Sequence, residues 1–191
     1  MNYLLRIISY PFLGVNPNII TVIGLLFSFI FFVLMIFHMY VLAFFAIFAS
    51  IFDAVDGYVA RKTGRVSRFG GFFDATSDRI ADFLYITAFG YAGIAAWKIV
   101  VFVLFTTMLV SYTRARAEAA FLGKLKFNNG LLQRAGRIFL IGLSLLLFLV
   151  FPNISIFGFN SVAAAFLLVS FLNVITVIQR TIFTYKMASG N

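Results

Sequence analysis

The sequence predicts an all-α integral membrane protein: six transmembrane helices preceded by a short helix lying at the membrane interface. Three observations carry this reading. Of 191 residues, 63% are hydrophobic and only 11% charged, with 27 Phe, and the mean hydropathy of +1.05 lies outside the range of water-soluble domains. The apolar residues form continuous runs instead of the alternation that a membrane β-barrel requires. One span takes about 20 mostly apolar residues, so the length holds roughly six with short connections and leaves no room for a separate soluble domain. Residues 1–191 therefore read as a single membrane domain.

The elements follow in order. Residues 1–14 carry one charge, Arg6, among apolar side chains, and Pro11, Gly14 and Pro17 then interrupt the chain, as expected of an interfacial helix. No cleavage site of small residues follows the next apolar run, which reads as a retained span. The spans are expected at 19–37, 41–60, 71–95, 98–121, 131–151 and 156–177. With these bounds every Lys and Arg, including Arg61, Arg68, Arg114, Lys124, Lys126, Arg134 and Lys186, falls on one side, except Lys98. The positive-inside rule then makes both termini cytoplasmic in a multi-pass protein of the cell membrane. The net charge of +9 reads as loops held at an anionic membrane surface and implies no nucleic-acid partner. The absence of Cys excludes thiolate chemistry and Cys-bound metals, and the lone His38 excludes a multi-histidine site.

Six acidic residues remain, and five of them, Asp53, Asp56, Asp74, Asp78 and Asp82, fall within thirty positions. A carboxylate inside a membrane helix costs roughly 2.5 to 3.5 kcal/mol on insertion scales, so such a cluster calls for a cationic partner. Asp53 and Asp56 are three apart and Asp74 and Asp78 four apart, so each pair shares a helix face. A short basic connection with Gly64, Gly70 and Gly71 makes their two helices antiparallel neighbours by expectation, with the carboxylates at matching depth. Oxygen ligands of this kind favour a hard ion, Mg²⁺ or Mn²⁺, and two such ions can clamp a phosphoryl group for in-line displacement. Between the pairs, Gly57 permits close approach to the helix backbone, and Arg61, Arg65, Arg68 and Ser67 suit a pyrophosphate-sized anion.

Read as one string, Asp53-x2-Asp56-Gly57-x2-Ala60-Arg61-x8-Gly70-x3-Asp74-x3-Asp78 resembles the signature of the CDP-alcohol phosphotransferase family at all eight defining positions. The resemblance implies a membrane enzyme, a homodimer, that moves a phosphoalcohol from a CDP-alcohol to a second alcohol and releases CMP. It implies that Asp53, Asp56, Asp74 and Asp78 hold two Mg²⁺ or Mn²⁺ ions on the cytoplasmic side, and that Asp78 also accepts the proton of the attacking hydroxyl. Asp56, Gly57, Ala60, Arg61, Ser67 and Gly70 match positions that contact the CDP moiety, joined by Asn18 and Thr21 at the start of the first span. Asn18 and Thr21 by themselves read as a helix cap.

Further stretches are most similar to the phosphatidylinositol phosphate and archaetidylinositol phosphate synthase branch of that family: Arg68-Phe69-Gly70, the run from Asp74 to Asp82, Ser111 to Glu118, and Gly130-x3-Arg134-x2-Arg137. The likeness implies a CDP-lipid donor and an inositol phosphate acceptor whose phosphate binds Arg114, Arg134 and Arg137. Guanidinium forks suit a phosphate dianion, whereas serine or free inositol needs no such cluster. Gln133 and Gly136 replace the acidic residues usual in that branch, which leaves glycerol 3-phosphate as an alternative acceptor alongside unphosphorylated alcohols. A membrane prenyltransferase also uses paired aspartate motifs but lacks the Asp-Gly-x2-Ala-Arg string. A divalent-cation transporter would distribute its carboxylates along a path. The hydrocarbon tails, diacylglycerol or archaeol, stay open. Asp82, one turn beyond Asp78, is expected to partner Arg79 or a fourth-helix Arg in place of a metal.

Overall fold

The computed structural model describes residues 3–121 and 133–189, without the side chains of residues 3–5, 49, 51 and 53. Lys124, Lys126, Gly130, the first residues of the fifth expected span and the Asp53 side chain thus lie outside the described residues. The chain divides into two compact units, Met1–Ala92 and Gly93–Asn191.

In the first unit, α1 (Tyr3–Ser9) runs into a 3-10 turn at Tyr10–Phe12 and is followed by α2 (Pro17–Ile36), α3 (Tyr40–Ile47), a second 3-10 turn at Phe48–Ile51, α4 (Phe52–Lys62) and α5 (Arg68–Tyr91). The central element is α2, which packs against α3, α4 and α5, while α1 lies on α4. Ile20, Val55 and Val59 form a buried knot between α2 and α4, covered by Ile8, Phe12, Leu13, Val15 and Phe52, so the N-terminal segment covers the packing of α2 on α4. Further along, Phe31 of α2 meets Tyr85 of α5 edge-on at 5.1 Å between ring centres.

The second unit holds α6 (Trp97–Ala120), α7 (Arg134–Val150), a two-residue-per-strand hairpin of β1 (Ser155–Ile156) and β2 (Phe159–Asn160), and α8 (Ser161–Ser189). Both α6 and α7 pack on α8. The hairpin turns through Phe157 and Gly158, at φ 52° and 81°, the pair of positive values that a tight two-residue turn demands. Asn160 then starts α8: its Oδ1 accepts the Ala163 N–H at 2.8 Å, and its amide donates to the Ile94 carbonyl at 2.7 Å. Fully buried Asn173 donates to Thr107 at 3.1 Å and Thr106 at 3.3 Å, tying α8 to α6 through polar groups inside an apolar seam.

Each expected span has a helical counterpart, but among the described residues three helices are long and apolar enough to cross a membrane: Pro17–Ile36, Trp97–Ala120 and Ser161–Ser189. The others fall short for separate reasons. The expected second span is not one helix, because the turn at Phe48–Ile51 breaks it into α3 and α4. The third, α5, carries its own carboxylates, and α7 has 17 residues. The sixth begins at Ser161 instead of 156, since the preceding residues fold into the hairpin, and it runs on to Ser189. Phe29, Phe45, Phe105, Phe139 and Phe171 stay exposed along these helices, as hydrocarbon solvent allows.

Candidate functional site

The stretch between α4 and α5 is built by three local devices. Gly64 takes a left-handed φ of 69° just past the end of α4, and the Arg65 N–H closes back on the Ala60 carbonyl at 3.0 Å, the six-to-one bond of a Schellman ending. Ser67 then caps α5, its Oγ accepting the Gly70 N–H at 2.9 Å. Between these two devices, the Arg65 side chain donates to the Val15 carbonyl at 3.4 Å. One turn before the ending, the Arg61 guanidinium lies across Gly57: a Cβ at Gly57 would stand 3.2 Å from an Arg61 nitrogen, so the glycine lets Arg61 fold back along its own helix.

The first turn of α2 comes to the same place. Its cap is Asn16, whose side chain accepts the Asn18 N–H at 3.0 Å, with Pro17 at the first helical position. The cap is therefore Asn16, not the Asn18 and Thr21 that would suit a cap when taken by themselves. Both side chains point elsewhere. Asn18 Oδ1 and Ser67 Oγ crowd Gly70 so closely that a Cβ there would lie 3.3 Å and 3.0 Å from them. Thr21, buried, donates to Asp56 Oδ2 at 2.5 Å. The structure thereby gathers Asn18, Thr21, Asp56, Ser67 and Gly70 around the start of α2, with Gly57, Ala60 and Arg61 on the same short helix as Asp56.

The carboxylates differ in setting. Asp56 is buried at 3% exposure and its Oδ1 also faces the Gly57 N–H, so the charged form is met by two donors. Asp74 and Asp78 lie four residues apart on α5 and are half-buried. Asp82 is buried and pairs with Arg79 at 3.2 Å, while the same Arg79 nitrogen stands 3.6 Å from Asp78. Asp82 thus takes the Arg79 partnership allowed for it. Direct neighbourhood of α4 and α5 was expected, but the close packing partner of both is α2. The oxygen donors of Asp56, Asp74 and Asp78 fit a hard divalent cation by chemistry. Among the described residues, no three His, Cys, Asp or Glu side chains stand close enough to hold an ion by themselves.

The second unit carries the other predicted group. Arg114 on α6 is half-exposed and pairs with Glu118 at 2.9 Å. Arg134 opens α7, and Arg137, three residues on, is buried at 4% exposure. Sequence reasoning missed Arg180. This residue is buried on α8, donates to the Val110 carbonyl at 2.6 Å, and lies within electrostatic reach of Arg114, Arg137 and Glu118. Its signal was present in the sequence: Arg180 lies seven residues after Asn173 and four after Thr176, so the three polar residues share one face of a mostly apolar helix.

The sequence profile of CDP-alcohol phosphatidyltransferases matches residues 14–179. The chain belongs to that family. It is accordingly a transferase of the CDP-alcohol phosphotransferase type and a multi-pass membrane protein. Among similar CDP-alcohol phosphatidyltransferases is the archaetidylinositol phosphate synthase of Pyrococcus horikoshii, 36% identical over 169 residues, which cover 88% of this chain and 82% of that protein. The crystal structure of Mycobacterium tuberculosis phosphatidylinositol phosphate synthase with CDP-DAG bound superposes with a TM-score of 0.77 at 24% identity, over 96% of this chain and 94% of that one. The same Mycobacterium tuberculosis enzyme in complex with manganese and citrate gives 0.75 at 24% identity, over 95% and 88%. These likenesses establish a shared CDP-alcohol phosphatidyltransferase fold.

Proposed function

We propose that this enzyme transfers a phosphatidyl-type group from a CDP-lipid to an inositol phosphate, releasing CMP, as a step of phospholipid biosynthesis. The observation that supports it most directly is the contact between Thr21 and Asp56, because it joins two elements of the family signature's surroundings that are 35 residues apart in sequence. In this reading Asn18, Thr21, Asp56, Gly57, Ala60, Arg61, Ser67 and Gly70 bind the CDP moiety. Gly57 leaves room for the Arg61 guanidinium to lie along the helix beside Asp56, where its charge suits a pyrophosphate. Asp53, Asp56, Asp74 and Asp78 hold two Mg²⁺ or Mn²⁺ ions, which when bound supply charge neutralisation at the pyrophosphate. Asp78 also takes the proton from the acceptor hydroxyl at its carboxylate oxygen. Arg114, Arg134 and Arg137 bind the acceptor phosphate, with buried Arg180 adding a fourth cation to their unit. The enzyme is a homodimer with both termini and its site on the cytoplasmic side, and residues 1–191 act as one functional domain.

The archaetidylinositol phosphate synthase and phosphatidylinositol phosphate synthase names of the relatives support the acceptor, and the manganese complex of the mycobacterial enzyme supports the metal. The decisive experiment measures CMP release from a CDP-lipid by purified protein supplied in turn with inositol phosphate, glycerol 3-phosphate, inositol and serine, with and without a chelator. Release that requires inositol phosphate and free Mg²⁺ or Mn²⁺ is expected. Full turnover in excess chelator, or preference for an unphosphorylated alcohol, would overturn the metal or the acceptor assignment respectively.

A further inference from the structure

Arg79 and Asp82 stand next to the signature aspartates without belonging to the signature. One nitrogen of Arg79, Nη2, lies 3.2 Å from Asp82 Oδ2 and 3.6 Å from Asp78 Oδ2, with Asp82 at 4% exposure and Asp78 at 21%. The two carboxylates compete for a single cationic group. Buried Asp82 has little water to solvate its charge and needs the cation more, while half-wet Asp78 needs it less. The shorter distance agrees.

We propose that Asp82 is a positioning residue that holds Arg79 back from Asp78, leaving the Asp78 carboxylate available to a divalent cation. This rests on the assignment of Asp78 as a metal ligand made above. Without Asp82, the guanidinium closes on Asp78, a carboxylate it matches in shape and charge, and its positive charge then opposes a second cation. Without Arg79, Asp82 no longer acts on Asp78 through that guanidinium. Removing Asp82 weakens cation binding and removing Arg79 strengthens it. Two independent point charges would act in those directions as well. The double substitution separates the cases: independent charges add, so Asp82→Asn costs the same factor in the Arg79→Gln background as in the wild type, whereas a held Arg79 makes the double variant equal to Arg79→Gln.

The test titrates Mn²⁺ into metal-free full-length protein in lipid nanodiscs without substrate, reading free Mn²⁺ by electron paramagnetic resonance. Asp82→Asn is expected to raise the half-saturating Mn²⁺ concentration roughly tenfold, the scale seen when a group that orients a metal ligand is lost. Arg79→Gln is expected to lower it, and Asp82→Asn with Arg79→Gln to stay within roughly twofold of Arg79→Gln alone. The double variant removes the Arg79–Asp82 pair as a unit, and its comparison with Arg79→Gln decides the matter even where Asp82→Asn by itself fails to fold. A double variant weaker than Arg79→Gln by the factor that Asp82→Asn costs the wild type, or Asp82→Asn unchanged from wild type, would overturn the positioning role. Wild-type protein that binds no Mn²⁺ would overturn the metal assignment itself and this role with it.

Discussion

Thr21 Oγ1 donates a hydrogen bond to Asp56 Oδ2 at 2.5 Å, linking the first turn of α2 to the middle of α4 across 35 residues of sequence. Asp56 thereby keeps one oxygen fixed by α2 and the other turned toward the Gly57 N–H. The orientation of this carboxylate is thus set from two sides.

Replacing Thr21 with Val removes that donor while preserving shape. Hydrogen bonds to charged groups contribute about 1.5 to 3 kcal/mol, so kcat/KM for the CDP-lipid is expected to fall roughly tenfold or more, with the fold intact by circular dichroism. Thr21→Ser keeps the hydroxyl and should recover most of the rate. Equal activity of the Val and Ser variants in steady-state kinetics would show that the bond does nothing for the reaction.

Gly70 and Gly71 make a matched pair of tests. A methyl group at Gly70 meets Ser67 Oγ at 3.0 Å and Asn18 Oδ1 at 3.3 Å, whereas one at Gly71 meets nothing within 4 Å. Gly70→Ala is expected to push the α5 cap and Asn18 apart and to raise the KM for the CDP-lipid several-fold. Gly71→Ala leaves that KM unchanged and stabilises the helix by up to about 1 kcal/mol. Thermal unfolding and donor titration of the two variants, side by side, check both halves.

Asp78→Asn keeps the size of the side chain but removes a base and a charged ligand. Turnover is expected to drop at least 100-fold, in keeping with the ~10²-fold or greater share of general base catalysis, while CDP-lipid binding by isothermal calorimetry persists. Near-wild-type turnover in this variant would remove Asp78 from the chemistry.

Arg134→Ala and Arg137→Ala should each raise the KM for inositol phosphate roughly tenfold, as expected for losing a charge-assisted bond of ~1.5 to 3 kcal/mol, and leave the KM for the CDP-lipid unchanged. Arg137 is the more demanding site because it is buried, so Arg137→Lys, which retains the charge, serves as the folding control. Weakened donor affinity with an unchanged acceptor KM would assign these arginines to the CDP moiety.

The membrane class, the helical counterparts of the spans and the signature aspartates were legible in the sequence because each depends on a local property. Hydropathy sums over about 20 neighbouring residues, helical spacing puts Asp74 and Asp78 on one face, and Gly64 and Ser67 mark where α4 ends and α5 begins. Tertiary structure decided what depends on residues far apart in the chain. Packing of α2 against both α4 and α5 brought Asn18 beside Gly70 and Thr21 onto Asp56. Burial gave Asp82 its claim on Arg79, and the seam between α6 and α8 brought Arg180 into reach of Arg114 and Arg137. The physical reason is the same in each case: a short-range pattern fixes a helix and its face, but the partner of a buried polar group is chosen by which helix packs against that face, since desolvation makes an unmet charge or hydrogen bond costly.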